Sequence, residues 1–568
     1  MYIATVRNRN SPPAILLRES YRAHGKVKTR TLANLTKLPP DAIEVLRAAL
    51  KGQSLVPPSE AFEVIASPHH GHVQAVLCAM RRLGLTALIA SRPSVQRDRV
   101  MAMVAARVLA PHSKLATTRW WHVTTLPDLL GVSEADEDDL YDAMDWLLKR
   151  QSRIEQKLAA RHLNNDALAL YDLSSSYFEG VTCPLAEYGH NRDGKKGKRQ
   201  VNYGLLTNAQ GIPVSVSVFK GNTGDPKTLL PQIDKVRQQF HLERFVLVGD
   251  RGMITQKQVD VLRELDNIDW ISALRPEAIK KLLAADKIQM DLFDERNLFE
   301  LAHPDFPDER LIACRNPELA KHRREKRRSL LKATAKELDR VRGMVERGRL
   351  HGQDAIGVRV GKVIDKYKVA KHYRLDIGDD HFAFEVDQQN VAAEAVLDGL
   401  YVVRTSVSAE RLTAEETVLS YKRLSLVERA FRTMKSLDLQ VRPIRHRRER
   451  RVRAHIFLCM LAYYVEWHMI EAWRPLLFGD EDQATKTSRD PVAPAKRSEA
   501  ALRKVHTRTL DDSTPVHSFR TLLTHLSGIV RNTCRLPDAP ADAPIFQVTT
   551  TANAKQQQAL DLLETISV

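Results

Sequence analysis

Ala167-Leu-Ala-Leu-Tyr-Asp-Leu-Ser-Ser-Ser-Tyr-Phe178 is an apolar run with one acid, Asp172, set inside it. Such a run suits a strand buried on both faces, and a carboxylate held there needs a partner or a task. Two more strand-like runs follow at 200–207 and 212–219, each bounded by Gly, Asn or Pro turns. Asp225-Pro226 then opens a helix that reaches about residue 240, the acid as cap and the proline at the first helical position. Arg244-Phe-Val-Leu-Val-Gly-Asp250 is a continuous apolar run that ends in a second acid. Arg251-Gly252 turns the chain into a helix over 255–265, and 268–274 reads as a fifth strand. The order β-β-β-α-β-α-β predicts an α/β fold with a ribonuclease-H-like core.

That layout closes with a further helix, and the best candidate comes late, in Ser420-Tyr-Lys-Arg-Leu-Ser-Leu-Val-Glu-Arg-Ala-Phe-Arg-Thr-Met-Lys-Ser436. Leu424, Val427, Phe431 and Met434 recur at core spacing. Tyr421, Glu428 and Lys435 are seven apart, about two helical turns, so they share a ridge beside that stripe, flanked by Ser425 and Arg432.

In the predicted layout the first and fourth strands are central neighbours, which brings Asp172 beside Asp250. Two carboxylates so close repel unless a cation lies between them. Hard oxygen ligands suit Mg²⁺ or Mn²⁺, and two such ions can hold both the attacking and the leaving oxygen of a phosphodiester. Glu428 completes the set as the third acid. Glu415, Glu416, Glu449 and Glu466 lie in the same region, but none of them shares the ridge.

The rest of the chain divides around this core. Residues 1–56 read as a small N-terminal α+β domain, with strands at 2–6 and 14–21, a turn at 24–27 and a helix at 40–50. Residues 57–163 read as a helical domain with amphipathic stretches at 73–83, 96–109 and 138–150; Arg97, Arg99 and Arg107 leave it open whether that domain reads DNA. The core occupies 164–285 and 396–475 and is interrupted by an α+β insertion at 286–395, which carries a long polar helix over 318–349 and two strands. Residues 476–568 read as a linker and a C-terminal helical tail, loosely ordered at its end.

The formal net charge of +17 over 568 residues points to a long polyanion as partner. Ile456 to Val465, the longest strongly apolar run, is too short to span a bilayer and is stopped by Glu466, and the N-terminus has no apolar signal core. The five cysteines form no C-x-x-C pair, which fits a reducing cytoplasm and argues against a zinc site or disulfide framework. Two basic clusters stand near the acids in sequence: Lys195, Lys196 and Lys198 after the first strand, and Arg445, Arg447, Arg448, Arg450 and Arg451 after the late helix. Both suit phosphate contact, which supplies affinity without reading sequence. For the run Arg323–Arg328 phosphate contact and a solvated face stay equally open.

Tyr421, Glu428 and Lys435 resemble the Y-(2)-R-(3)-E-(6)-K element of the IS4-type DDE transposases. Tyr171-Asp-Leu-Ser174, Gly249-Asp-Arg-Gly-Met253 and Val427-Glu-Arg-Ala-Phe-Arg432 resemble the IS1634 branch of that group, over about residues 1 to 535. Leu424 stands where the family has its arginine; Arg423 is adjacent, about 100° round the helix. The resemblance implies that Asp172, Asp250 and Glu428 are the catalytic metal ligands for Mg²⁺ or Mn²⁺. It implies a transposase of a bacterial insertion sequence that cuts the element ends and joins the 3′-hydroxyls to target DNA. Partners are then double-stranded DNA, as terminal inverted repeats and target, and a second copy in a homodimer. Tyr421, Arg432 and Lys435 become DNA contacts, and the protein is expected to be cytoplasmic and nucleoid-associated, with no membrane partner. The other readings are a nuclease of the same fold without strand transfer, and a catalytically silent, transposase-derived DNA-binding protein.

Overall fold

Eight strands build one mixed sheet: β1 (Ala167–Tyr177), β2 (Gln200–Thr207), β3 (Pro213–Lys220), β4 (Phe245–Gly249), β5 (Ile268–Ala273), β6 (Leu298–Leu301), β7 (Arg310–Arg315) and β8 (Leu400–Thr405). Their spatial order is β6-β7-β8-β5-β4-β1-β2-β3. β1, β4 and β5 run parallel, and every other pairing in the sheet is antiparallel. The computed structural model describes residues 1–568 except 10, 54–60, 286, 289–292, 295–296, 437, 483–490, 494–495, 538 and 541.

The centre of the sheet is dry because its strands are apolar on both faces. All of Phe-Val-Leu-Val-Gly in β4 is buried, as is all of β2. Between β1 and β2 the packing depends on a missing side chain. A Cβ on Gly204 would lie 2.1 Å from the hydroxyl of Tyr171 and 2.6 Å from its ring, so only glycine lets that buried ring cross the neighbouring strand.

Three elements lie where the sequence pattern did not put them. A helix, Pro276–Ala284, follows β5 at once, with proline at its first turn and Ile279 and Leu282 buried. β6 and β7 fall inside the stretch expected as insertion, yet they pair onto β8 and extend the main sheet. β7, Arg-Leu-Ile-Ala-Cys-Arg, is an apolar run too short to mark itself as strand or helix. Beyond it, α1 (Pro317–Glu346) and α2 (Gln353–Tyr367) form a helical hairpin packed on strands Tyr373–Ile377 and Phe382–Val386. This part has its own core, from Leu338, Val341, Ile356 and Val360 to Tyr373 and Phe382.

After β8 the late helix comes as two, α3 (Ala414–Lys422) and α4 (Leu424–Lys435). At Arg423 the backbone tightens: its N–H donates to the carbonyls of both Leu419 and Ser420, and its carbonyl accepts from Leu426. A capping box of Thr413 and Glu416 starts α3. α5 (Glu449–Ala472) is buried without a break from Ala454 to Glu466, which explains its apolar sequence without a membrane. No described helix is long and apolar enough to cross one.

The chain separates into two compact units. The larger holds the sheet, its helices and the helices of 69–163, together with residues 552–568. The smaller joins residues 1–68 to 529–551. It contains one antiparallel sheet of Tyr2–Val6, Ala14–Ala23 and Lys26–Asn34, and another of Glu63–Ala66, Arg531–Arg535 and Phe546–Thr549. The third strand of the first sheet begins inside the stretch expected as a turn, 24–27, and runs on to Asn34. The chain end, expected to be loose, is a helix, Ala554–Glu564, capped by Asn553 and anchored by Ala559 and Leu563. The expected boundary at 56/57 and the middle of the expected linker, 483–490, lie outside the described residues.

Gly204→Ala is expected to cost about 1–3 kcal/mol by overpacking and to lower the thermal midpoint. Calorimetry of the purified protein checks this; an unchanged midpoint would contradict the packing of Tyr171 across β2.

Candidate active site

The register of β1 on β4 pairs Tyr171 with Gly249, so the next residues along, Asp172 and Asp250, are neighbours at the sheet's edge of the cleft. Asp172 is half-buried and takes the N–H of Leu173 on Oδ1 at 2.8 Å. Asp250 is exposed at the end of β4, and its backbone carbonyl is held by the N–H groups of Met253 and Ile254, which fixes the turn. α4 lays Val427, Ala430, Phe431 and Met434 on the sheet, with Phe431 edge-on to Tyr203 at 5.7 Å. That anchoring leaves Glu428 exposed on the cleft side. Tyr421, from α3, points its hydroxyl at Asp250 Oδ1, 3.5 Å away. The break at Arg423 therefore does not scatter the ridge: Tyr421, Ser425 and Glu428 all line one cleft with Asp172 and Asp250.

The electrostatics are those of a site short of positive charge. Burial, then the carboxylates of Asp250 and Glu428, push Asp172 up to about 7, against the pull of the Leu173 N–H and of Arg192. Burial and Asp250 also raise the Tyr421 phenol, which stays neutral. Hard oxygens under mutual repulsion are the donor set that a divalent cation satisfies. Among the described residues no three acidic, His or Cys side chains already stand in a ligating group.

The cleft has a volume of about 1070 Å³. Lys280, Arg323, Lys326, Arg327, Lys368 and Lys371 line it together with the acids. Some of this charge is spent: Arg327 binds Asp398, and Lys371 binds Glu394 at 2.9 Å. Lys326 and Arg327 belong to the basic run whose role the sequence left open. That they line the same cleft as Asp172 depends on how the insertion folds, and no local pattern carries that.

The other expected contacts are distributed differently. Lys435 is tied to buried Asp193 at 3.2 Å, and Arg442 reaches the same oxygen at 2.5 Å; Tyr177 donates its N–H to the other oxygen at 2.9 Å. Lys435 thus pins the loop after β1 to α4 instead of lining the cleft. Asp193 was not singled out in the sequence, where nothing but its position in a basic loop sets it apart. In that loop Lys195 lies 5.8 Å over the Tyr177 ring, Lys196 is exposed, and Lys198 pairs with Glu179 at 3.1 Å. Arg432 is exposed on α4. In the arginine run, Arg445, Arg447, Arg448 and Arg450 are exposed; Arg450 also pairs with Asp145 at 3.0 Å, and half-buried Arg451 lies 4.4 Å over Tyr141.

Of the other late acids, Glu416 closes its capping box and Glu449 holds Arg453 at 2.8 Å. Glu466 is buried in α5, where burial, then Asp438, pushes it up to about 8 against Arg520. Neither these nor Glu415 lines the cleft. All five cysteines are buried.

The profile of the Transposase DDE domain matches residues 173–465, more than half of the chain. The profile of the IS1634 family transposase N-terminal domain matches residues 3–57. The chain is a DDE transposase of the IS1634 branch. Asp250 and Glu428 lie inside the first match, which begins one residue after Asp172. Two solved structures are distantly similar to the transposase, each at 10% identity. A piggyBac transposase synaptic complex with hairpin DNA aligns over 78% of this chain and 87% of that one, with a TM-score of 0.33. A Mos1 transposase paired-end complex with left transposon end aligns over 35% and 66%, with a TM-score of 0.15. Among curated proteins none matches.

The raised Asp172 has a sign that can be measured. Its folded form holds a proton more tightly than the unfolded chain does. The contribution of Asp172 to the stability of the metal-free transposase therefore falls as pH rises from about 4 to about 7. Asp172→Asn removes that loss, on the order of 2–4 kcal/mol above pH 7, and changes little near pH 3. Urea unfolding of both proteins across this range checks it; a gain independent of pH would contradict the assignment.

Proposed function

We propose that Asp172, Asp250 and Glu428 form the catalytic metal site at which this transposase cuts the ends of its element and joins the freed 3′-hydroxyls to target DNA. The observation that carries this is their convergence on one cleft, from two adjacent parallel strands and one helix, in company with several lysines and arginines. The strand order β3-β2-β1-β4-β5, parallel only around β4, supports the ribonuclease-H-like reading of the core. The added strands β6, β7 and β8 continue it toward the insertion.

The three carboxylates would hold Mg²⁺ or Mn²⁺, one ion or two, which supplies the charge that polarises a phosphodiester and activates water near neutral pH. The chain's own residues do the rest. β1 and β4 fix two ligands rigidly, and α4 brings the third on a helix anchored by four buried side chains. Tyr421, kept neutral, donates toward Asp250 and orients it. Arg251, Lys280, Lys326 and Lys368 line the cleft and offset the phosphate charge of an incoming strand. Without them the acids would repel DNA. The ion triad Lys435–Asp193–Arg442 holds the loop after β1 against α4 and keeps the ligand helix in register.

Glu428→Gln is expected to bind duplex DNA as wild type does and not to cut it. Asp172→Ala and Asp250→Ala are expected to behave the same way, and EDTA to abolish cutting by the wild type. A gel assay that scores binding and cleavage separately checks this. Full cleavage by the Glu428 variant, with loss in Glu449→Gln or Glu466→Gln instead, would overturn the assignment.

Exposed Arg445, Arg447 and Arg448 extend the basic track, whereas Arg450 and Arg451 are engaged with Asp145 and Tyr141. Changing the first three to alanine is expected to lower the slope of log affinity against log salt by about 2–3. Arg450→Ala is expected to act on thermal stability first. Equal slopes for the triple variant and wild type would contradict the track.

A further inference from the structure

The smaller unit carries a feature that the catalytic cleft does not use. Strands Ala14–Ala23 and Lys26–Asn34 form a hairpin closed by His24 and Gly25, both with positive φ. Two such residues make the two-residue turn whose twist matches that of paired strands. From Ser20 to Thr31 every residue of this hairpin except Ala23 is exposed. The two strands therefore leave the three-stranded sheet as an arm bare on both sides.

The composition of the arm is one-sided. Between residues 1 and 34 the basic residues are Arg7, Arg9, Arg18, Arg22, Lys26, Lys28 and Arg30, and the one acid is Glu19. The register sorts them. Tyr21 pairs with Lys28 and Glu19 with Arg30 on one face; Arg22 pairs with Val27 and Ser20 with Thr29 on the other. On the first face Arg30 is occupied, bound to Glu19 at 2.6 Å and 5.6 Å over the Tyr21 ring. Lys26 and Lys28 are left with long stems and exposed ammonium groups. Within the arm the second face presents one guanidinium, the hydroxyls of Ser20, Thr29 and Thr31, and the exposed methyls of Val27, which is 66% exposed. Those are the groups that meet base edges: arginine for guanine, hydroxyls for either base pair, methyls against the thymine methyl. A two-stranded ribbon fits the major groove, which is about 12 Å wide.

The helices of 69–163 do not compete for this role with the arginines that first suggest it. Arg97 binds Asp98 at 2.9 Å, Arg99 binds Asp139 at 2.8 Å, and Arg107 is buried, donating to the His112 carbonyl at 3.1 Å. We infer that the hairpin arm Ser20–Thr31 is a groove-reading element for duplex DNA, with Arg22, Val27 and Thr29 toward the base edges and Lys26 and Lys28 on the flanking phosphates. This rests on the reading of the protein as a transposase that recognises the ends of its element, and it assigns that recognition to one surface.

The test uses the full chain and two labelled duplexes of equal length, one carrying the terminal sequence that brackets this reading frame and one scrambled. Fluorescence anisotropy is measured across a salt series. Lys26→Ala with Lys28→Ala is expected to weaken both duplexes alike and to reduce the salt slope by about 2. Arg22→Ala with Thr29→Ala is expected to reduce the preference for the terminal duplex about tenfold or more, with less effect on the scrambled one. All four side chains are exposed, and circular dichroism confirms that the variants fold. Wild-type preference and slope in both double variants would overturn the arm while leaving the catalytic reading intact, which the Glu428→Gln cleavage assay reads independently. A wild type that binds neither duplex would overturn both. Unchanged DNA binding with an altered oligomeric state would make the arm a contact between protein chains and likewise overturn it.

Discussion

Three carboxylates brought to one cleft are the constraint around which the larger unit is arranged. Parallel pairing of β1 and β4 leaves half-buried Asp172 beside exposed Asp250, and burial costs Asp172 part of its hydration. Such an arrangement lowers stability, as the rise of Asp172 to about 7 records. The fold tolerates it because the surroundings are over-determined: a sheet buried on both faces, α4 pinned by Val427, Ala430, Phe431 and Met434, and α5 sealed behind it.

The positive charge of the chain divides into two kinds. One part is structural. Lys435 and Arg442 share Asp193, Arg450 and Arg451 lean on Asp145 and Tyr141, and Arg404 is buried against Glu309 at 2.6 Å. These groups pair with acids or rings of the chain itself and tie loops and helices together. The other part is unspent: Lys280, Lys326 and Lys368 in the cleft, Arg445, Arg447 and Arg448 beyond α4, and Lys26 and Lys28 on the arm of the smaller unit. A net charge of +17 says that a polyanion is expected. Knowing which residues are already paired is what tells which of them meet it.

Much of the core was legible in the sequence because its signals are local. β1 and β4 are apolar runs that announce themselves, each with an acid in a place where an acid is costly, and α4 carries its core stripe at helical spacing. What was not legible depends on distant contacts. β7 is six residues long and becomes a strand because β8 offers it an edge. The break at Arg423 is a backbone adjustment that leaves the side-chain pattern unchanged. Lys435 matched a motif and sat on the right ridge, yet Asp193, more than two hundred residues earlier, captures it. The terminal helix was hidden by its glutamines, although Asn553 and Gln556 form a capping box that could have been read.

The central claim is that Asp250 ligates a metal ion during strand cleavage, and a change of ligand softness tests it most directly. Asp250→Cys replaces a hard oxygen with a thiolate, which Mg²⁺ accepts poorly and Mn²⁺ accepts better. Cleavage of a labelled duplex is compared for wild type and variant with each ion. The account predicts that the variant is inactive with Mg²⁺ and recovers cleavage with Mn²⁺, whereas wild type cuts with either. A variant that cuts equally well with both ions, or one that stays inactive with Mn²⁺ while still folding and binding DNA, would contradict it.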